Sequence, residues 1–293
     1  MKHLFHSGRG RKIQLWFDYS FHQYKLHNAL KHGAAGMIYN YGPIANPNNA
    51  YDPGFIYLHV GDSVVKDIFA GTGRSHDQVV RSIEEKLKPA SFETGKTVTV
   101  TMSTTHITGG RGANIIGLLP GTDPQLKDEV IIIGAHLDHM GRCYDIIPGA
   151  NDNASAVAVM MGVAKALYES RIPLGRSVLF IAFGSEEQGI LGSKAYLENP
   201  PFDLKRSVLI NMDGVGVGDR ISINSGKDFP LLYKPFEEMN SKYVHRTLSP
   251  NSFSNLGRPR LDAARFLTAG IPSLSFATYG STSYYHVPPD KYI

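Results

Sequence analysis

Short apolar runs that alternate with helical patterns constrain the fold of this chain more than any other feature. Strands of this kind are buried on both faces of a sheet, and they are joined by helices that cover it. The sequence therefore predicts a three-layer α/β domain with a mostly parallel, mixed sheet and helices on both faces. The runs span residues 130–135, 178–183, 208–210 and 272–276, and the helical patterns cover about 153–169, 189–198 and 230–243.

The first part of the chain differs from the rest in its amino-acid composition. Residues 1–92 are rich in His, Tyr, Asn and Gly, and they predict a smaller α+β region. We expect a helix over 21–32, short strands at 37–39 and 55–60, and a helix over 64–70. From residue 93 an alternating strand at 97–102 is expected to pair with 113–119. The sequence thus predicts two domains, residues 1–92 and 93–293.

Composition excludes several classes of protein. With 293 residues, 42% of them hydrophobic, and a formal charge of +4, the chain reads as an ordinary globular protein. Its basic residues are scattered, so we expect no nucleic-acid partner. No apolar run approaches the roughly 20 residues that span a bilayer, so no integral membrane segment is expected. Cys143, the single cysteine, excludes an intramolecular disulfide and lacks the surroundings of a catalytic thiol. The oligomeric state is not indicated.

A histidine or a carboxylate follows each apolar run. In open α/β sheets, ligands bind beyond the carboxyl ends of the strands. The residues at those ends are therefore expected to meet at one rim of the sheet, together with an aspartate that opens the first long helix. They are His136 and Asp138, Glu186 and Glu187, Asp213, His286, and Asp152.

Imidazole and carboxylate groups together suit zinc and related divalent ions. Five such ligands exceed the three that one catalytic zinc usually takes, but they suit two ions that share a carboxylate. The pair Glu186-Glu187 supplies a ligand and a base, although spacing does not say which is which. Taken singly, Asp152 reads as a helix cap and Asp213 as a turn residue. Their joint placement favours a metal site.

Five ordered blocks resemble the co-catalytic dizinc exopeptidase family that includes bacterial secreted aminopeptidases and glutamate carboxypeptidase. The blocks are residues 135–139, 148–155, 183–193, 211–213 and 285–286. The resemblance implies two Zn²⁺ ions, with Co²⁺ or Mn²⁺ as possible occupants of the same ligands. It also implies that Asp152 bridges the ions, with His136 and Asp213 completing one site and Glu187 and His286 the other.

The same resemblance implies roles for residues that do not bind metal. Glu186 would be the general base, and Asp138 would orient His136. Tyr285 would either contact the oxyanion or pack beside His286. The implied activity is that of an exopeptidase acting on peptides, and we expect an aminopeptidase.

Three alternatives are weighed against this expectation. A carboxypeptidase of the same family would differ in how its cleft receives the substrate terminus, and no motif decides between the two. A glutaminyl cyclase-like acyltransferase works with a single zinc, so the presence of both His136 and Asp213 argues against it. A catalytically silent binding module would have lost several ligands, whereas all five are present.

The first region resembles part of a protease-associated domain, through residues 29–39 and the turn at 60–62. The catalytic region departs from the family pattern in two places. Ala156 stands where a glycine is common, and Leu261-Asp262-Ala263 replaces a Ser-Asp-His motif. The chain is also expected to be truncated at both ends. A missing N-terminus would make a secreted or periplasmic location the expected one.

Overall fold

A computed structural model describes residues 22–40, 52–103, 105, 107, 109–142, 145–253, 260–282 and 284–291. Cys143 lies outside these residues. The chain divides into two compact units, residues 1–110 and 111–293. The division falls after Gly110, and the assignment of residues 1–92 and 93–293 to separate domains stays a prediction.

The first unit contains helices and a small parallel sheet. The helix that begins at His76 is capped at its N-terminus by Ser75. The Ser75 hydroxyl accepts the N–H of Gln78, and the Gln78 side chain accepts the N–H of Ser75. A relation to protease-associated domains stays a prediction. The elements are α1 (His22–Lys31), β1 (Gly36–Tyr39), β2 (Ile56–His59), α2 (Asp62–Phe69) and α3 (His76–Lys86), with β1 parallel to β2.

The strand predicted at 97–102 is wrong. Residues 97–102 lie in neither a helix nor a strand, and the partner predicted for them pairs elsewhere. Their apolar side chains bury no face, because Val98 is 53% exposed and Met102 49%. Alternation alone therefore does not make a strand.

The second unit is a seven-stranded sheet with helices. The strands are β3 (Ile115–Leu119), β4 (Val130–His136), β7 (Ser177–Phe183), β8 (Ser207–Met212), β9 (Arg220–Asn224), β10 (Thr247–Pro250) and β11 (Ser273–Tyr279). A separate two-stranded ribbon is formed by β5 (Gly141–Arg142) and β6 (Ile146–Ile147). The helices are α4 (Ser155–Ser170), α5 (Leu191–Glu198), α6 (Pro230–Met239) and α7 (Asp262–Thr268).

The strand order is β10-β9-β11-β8-β4-β7-β3. β7, β4, β8 and β11 run parallel, β3 pairs antiparallel with β7, and β9 pairs antiparallel with β11. The predicted mixed, mostly parallel α/β sheet is confirmed. Every residue of β7 is buried, as expected for a strand covered on both faces.

Alternate residues of the strands face two different sets of helices. Ile132, Leu179 and Phe183 pack with Tyr196 of α5 and Phe266 of α7. The opposite face packs against α4 and α6, through Phe180 and Met160 on one side and Leu274 and Tyr233 on the other. Among the described residues, every helix is too short or too polar to span a lipid bilayer.

The register of the central strands brings their carboxyl ends to the same level. His136, the last residue of β4, lies opposite Phe183, the last residue of β7. Gly134 lies opposite Asn211 of β8, so the residues two positions further along each strand are His136 and Asp213. The side chains that follow these strands therefore share one rim.

Candidate metal centre

Two groups of side-chain donor atoms converge at this rim. Within each group the donor atoms all lie within 4.8 Å of one another, and Asp152 belongs to both groups. The first group is His136, Asp152 and Asp213, and the second is His139, Asp152, Glu187 and His286.

The first group centres on Nε2 of His136. This atom lies 3.1 Å from Oδ1 of Asp152 and 3.6 Å from Oδ1 of Asp213. The other ring nitrogen, Nδ1, contacts the carbonyl oxygen of Asp138 at 2.9 Å, which leaves Nε2 facing the carboxylates. A buried imidazole fixed in this way is the usual form of a histidine that ligates a metal.

The second group centres on Nε2 of His286. It lies 3.3 Å from Oδ2 of Asp152 and 3.3 Å from Oε1 of Glu187. The two oxygens of Asp152 thus face opposite ways, Oδ1 toward His136 and Oδ2 toward His286. A carboxylate with one oxygen directed to each group is the arrangement that bridging two ions requires.

The donor atoms fit divalent metal ions. Ligand atoms about 2.0–2.2 Å from a tetrahedral zinc are separated by about 3.3–3.6 Å, close to the separations within each group. Oδ1 of Asp152 and Oε1 of Glu187 are buried and make no hydrogen bond. A buried carboxylate oxygen without a partner is costly, and a bound cation removes that cost. Both groups therefore suit the predicted pair of ions.

Opposite charges balance one another in the cluster. Although burial opposes ionisation, the adjacent His136 and His286 lower the pKa of Asp152. Burial likewise opposes the charge of Glu187, but contacts with His139 and His286 lower its pKa. Conversely, although burial disfavours the cation, Asp152 and Glu187 raise the pKa of His286 to about 9. Metal ligands must be deprotonated, so metal binding here displaces protons.

Asp138 connects two strand ends. Its carboxylate accepts the backbone N–H groups of Glu186 at 2.9 Å and of Glu187 at 3.2 Å. The atom of Asp138 that contacts His136 is the carbonyl oxygen. Its side chain, which we expected to orient His136, instead fixes the turn that carries the two glutamates.

Glu186 lines the same cleft as the donor groups. Burial raises the pKa of Glu186 to about 9; His136 opposes this shift, and the carboxylates of Asp213 and Glu187 add to it. The side chain beside it, Glu187, belongs to the second donor group. Of the two adjacent glutamates, Glu187 is therefore the one in a donor group, and Glu186 is a carboxyl group beside it.

The segment that carries Asp152 is held from two sides. The carboxylate of Asp290 accepts the N–H groups of Asn151 at 2.8 Å and of Asp152 at 3.2 Å. The buried Asn153 side chain donates to the carbonyl of Met212 at 3.1 Å and accepts the N–H of Gly214 at 3.0 Å. These contacts tie the segment both to the residues after His286 and to the end of β8.

Three residues of the site were not singled out from the sequence. His139 belongs to the second donor group, and its position three residues after His136 was the available signal. The side chains of Asp290 and Asn153 bind backbone N–H and C=O groups of other residues, and a sequence pattern does not record such contacts. Of the two roles considered for Tyr285, stacking on His286 is present, with ring centroids 3.6 Å apart. The oxyanion contact stays a prediction.

The donor groups open into a cleft of about 530 Å³. Away from the donors, its wall is built mainly of small polar side chains and includes one arginine, Arg260. The lining residues there include Ser222, Asn224, Asn251, Arg260, Ser275 and Thr278. The cleft therefore offers several polar groups and is large enough for a short peptide terminus.

Comparison with known proteins places the second unit among peptidases. The chain is 30% identical to leupeptin-inactivating enzyme 1 of Streptomyces exfoliatus over 213 residues, which are 69% of this chain and 44% of the relative. It is 31% identical to aminopeptidase YwaD of Bacillus subtilis (strain 168) over 206 residues, 65% of this chain and 42% of the relative. The chain thus spans less than half the length of the curated relatives it matches.

Solved structures show the same fold. A zinc aminopeptidase from Bacillus subtilis matches with a TM-score of 0.61 and 24% identity, covering 92% of this chain and 61% of that one. A medium-resolution structure of that enzyme matches with a TM-score of 0.50 and 30% identity over 60% of this chain and 44% of that one. The model of peptidase family M28 matches residues 114–293, which include every donor described above. The predicted family is confirmed: this chain belongs to peptidase family M28.

Proposed function

We propose that this chain carries the catalytic site of a zinc aminopeptidase that uses two metal ions. The observation that supports it most is Asp152, whose two oxygens face two separate donor groups. Membership of a peptidase family supports peptides as substrates, and the relatives described as aminopeptidases support release of the N-terminal residue. A relative described as a zinc enzyme supports zinc as the metal.

The proposed chemistry assigns each ion a set of ligands. His136 and Asp213 would hold one ion, Glu187 and His286 the other, and Asp152 both. When bound, such a pair lowers the pKa of a shared water and polarises the substrate carbonyl. In this proposal the substrate binds in the cleft with its scissile carbonyl against the donors, which then also position it.

Glu186 is the proposed general base. Its carboxylate takes a proton from the attacking water and then gives it to the leaving nitrogen. The Asp138 carboxylate, through the N–H groups of Glu186 and Glu187, keeps the base and the adjacent ligand in fixed directions. In this proposal Tyr285, which lines the cleft beside His286, donates a hydrogen bond to the developing oxyanion.

The test combines metal analysis with kinetics. The purified chain should bind two zinc ions and release chromophore from a panel of aminoacyl-nitroanilides. Glu186→Gln should keep both ions and lower kcat by about 10²- to 10⁴-fold, the usual contribution of a general base. The control is Glu198→Gln, at an exposed glutamate on α5 that pairs with Lys194, and it should change neither quantity. A folded wild-type chain that binds no metal would reject the proposal and favour the binding-module alternative.

A carboxypeptidase is the second candidate, and Arg260 is the observation that favours it. This guanidinium lines the cleft that the donor groups open into, and arginine is well suited to binding a terminal carboxylate. A panel of N-blocked dipeptides with free carboxyl ends separates the two activities. Hydrolysis of these substrates, with a KM that rises in Arg260→Ala, would replace aminopeptidase by carboxypeptidase in the proposal.

A further inference from the structure

The imidazole of His139 has no function in the five-ligand arrangement. Its side chain is only 6% exposed. Neither of its ring nitrogens makes a hydrogen bond in the described part of the chain. A buried polar group in this state costs free energy, so its retention beside the donor groups calls for a partner.

His139 lies against the second donor group. Its Nδ1 is 2.9 Å from Oε1 of Glu187 and 3.9 Å from Oδ1 of Asp152. Its ring meets that of His286 edge to face, with centroids 5.4 Å apart. Nδ1 thus lies closest to Glu187, and the ligand atoms of His139, Asp152, Glu187 and His286 all lie within 4.8 Å of one another.

A hydrogen-bonded ion pair does not account for this contact. The 2.9 Å separation would suit such a pair, yet neither Nδ1 of His139 nor Oε1 of Glu187 makes a hydrogen bond of acceptable geometry. Two donor atoms that are close together but not aligned with each other are expected where both point at a third position. A metal ion at that position accepts a lone pair from each.

The local backbone makes room for the ring. Gly149 adopts a φ of +71°, and a Cβ placed on it would lie 2.5 and 2.6 Å from Cγ and Cδ2 of His139. A side chain at position 149 would therefore displace the imidazole from the cluster. The chain before His139 is fixed as well, because the N–H of Leu137 donates to the carbonyl of Phe183 at 2.7 Å.

We propose that His139 ligates the metal ion of the second group through Nδ1. This inference rests on the two-metal site proposed above and adds to it a sixth protein ligand. The second ion then has four protein ligands, from His139, Asp152, Glu187 and His286. The first has three, from His136, Asp152 and Asp213.

The two ions are therefore unequal. Four protein ligands hold a zinc ion more tightly than three, and an ion held by three has a further position open to water or substrate. The ion of the first group is the one with the open position, and that of the second is the one held more tightly. On removal of metal with a chelator, the wild-type chain should release its ions in two separate steps.

The decisive experiment compares His139→Ser with the wild-type chain in a chelator competition for Zn²⁺. We expect the affinity for the more tightly held ion to fall by more than about 100-fold, because even groups that only support a ligand contribute about 10- to 100-fold. The affinity for the other ion should change little. His32→Ser, which removes an exposed histidine from the first unit, is the control and should match the wild type.

A second measurement does not depend on the variant's folding. X-ray absorption of the wild-type chain loaded with one equivalent of Zn²⁺ should show two imidazole ligands on the bound ion. A single imidazole, or an unchanged affinity in His139→Ser, would overturn the role of His139 while leaving two metal ions in place. A wild-type chain that takes up no zinc would instead reject the proposed function itself.

Discussion

A single carboxylate, that of Asp138, fixes the direction of two neighbouring glutamates. Asp138 follows the end of β4, and its carboxylate accepts the N–H groups of Glu186 and Glu187, which follow β7. Charge-assisted hydrogen bonds of this kind hold a turn more firmly than neutral ones. The proposed base and the adjacent ligand therefore depend on a side chain that is not itself among the donor groups.

Asp138→Asn should show this dependence. The amide offers one acceptor oxygen and presents its NH₂ group to the second N–H, so one charge-assisted bond is lost. We expect the free energy of unfolding to fall by about 1.5–3 kcal/mol and kcat to fall by at least about tenfold. Urea unfolding and steady-state kinetics measure the two effects. The exposed Asp128, which pairs loosely with Arg206 at 3.8 Å, provides the control: Asp128→Asn should cost less than about 1 kcal/mol.

Sequence reasoning found five of the six donors and missed His139, together with the supporting residue Asp290. His136, Glu187 and Asp213 were placed by the polarity of parallel strands, because all carboxyl ends of such strands meet at one edge. His139 and Asp290 owe their positions to loop conformation and to contacts between distant parts of the chain. No periodicity records those contacts.

The start of α5 packs directly on the backbone that precedes Glu186. A Cβ placed on Gly192 would lie 2.6 Å from Oδ1 of Asn114 and 2.8 Å from the backbone nitrogen of Gly184. Asn114 in turn accepts the N–H of Gly184 and donates to the carbonyl of Gly192. Three backbone segments thus meet where a side chain would not fit.

Two Gly→Ala substitutions in helices should therefore have opposite effects. Gly192→Ala should destabilise the chain by about 1–3 kcal/mol, because the added methyl group forces the backbone before Glu186 to move. Gly162, within α4, has no atom within 4 Å of an added Cβ, and Gly162→Ala should stabilise by about 0.5–1 kcal/mol. Thermal unfolding of both variants gives the comparison. Equal effects would show that the packing at Gly192 is looser than described.

Asp290 anchors one segment to another. Besides its carboxylate contacts with Asn151 and Asp152, its carbonyl accepts the N–H of Ala150 at 3.1 Å. Asp290→Ala leaves two backbone N–H groups without an acceptor, at about 1–3 kcal/mol each. Because Asp152 faces both donor groups, this variant should lower the affinity for both metal ions. Atomic emission measures the metal that stays bound. His139→Ser, in contrast, should lower the affinity for one ion and leave that for the other unchanged.

At the level of elements, burial decided which predictions succeeded. β4 and β7 read as apolar runs because helices cover both of their faces, and they are confirmed. β9 and β10 lie at one side of the sheet and carry fewer apolar residues. No run marked them in the sequence.

Metal binding should stabilise the second unit as a whole. The donors come from separate elements between β4 and the segment after β11, so an unfolded chain cannot assemble them. An ion at 1,000 times its dissociation constant contributes about 4 kcal/mol, and about 1 kcal/mol shifts the Tm of a domain of this size by about 2–4 °C. Removing zinc with EDTA should therefore lower the Tm by at least about 8 °C, and adding zinc back should restore it. Calorimetry with and without chelator measures the shift; an unchanged Tm would contradict metal binding at this cluster.

The position of β11 has a consequence for how the chain is made. β11 is the last strand along the described sequence, yet it lies inside the sheet, between β8 and β9. While a ribosome is still making the chain, β8 has an open edge and the β9–β10 pair has nothing to join. His286 and Asp290 emerge later still. The sheet of the nascent chain therefore stays incomplete until β11 has been made, and the second donor group, which includes His286, can be assembled only after synthesis has passed this point.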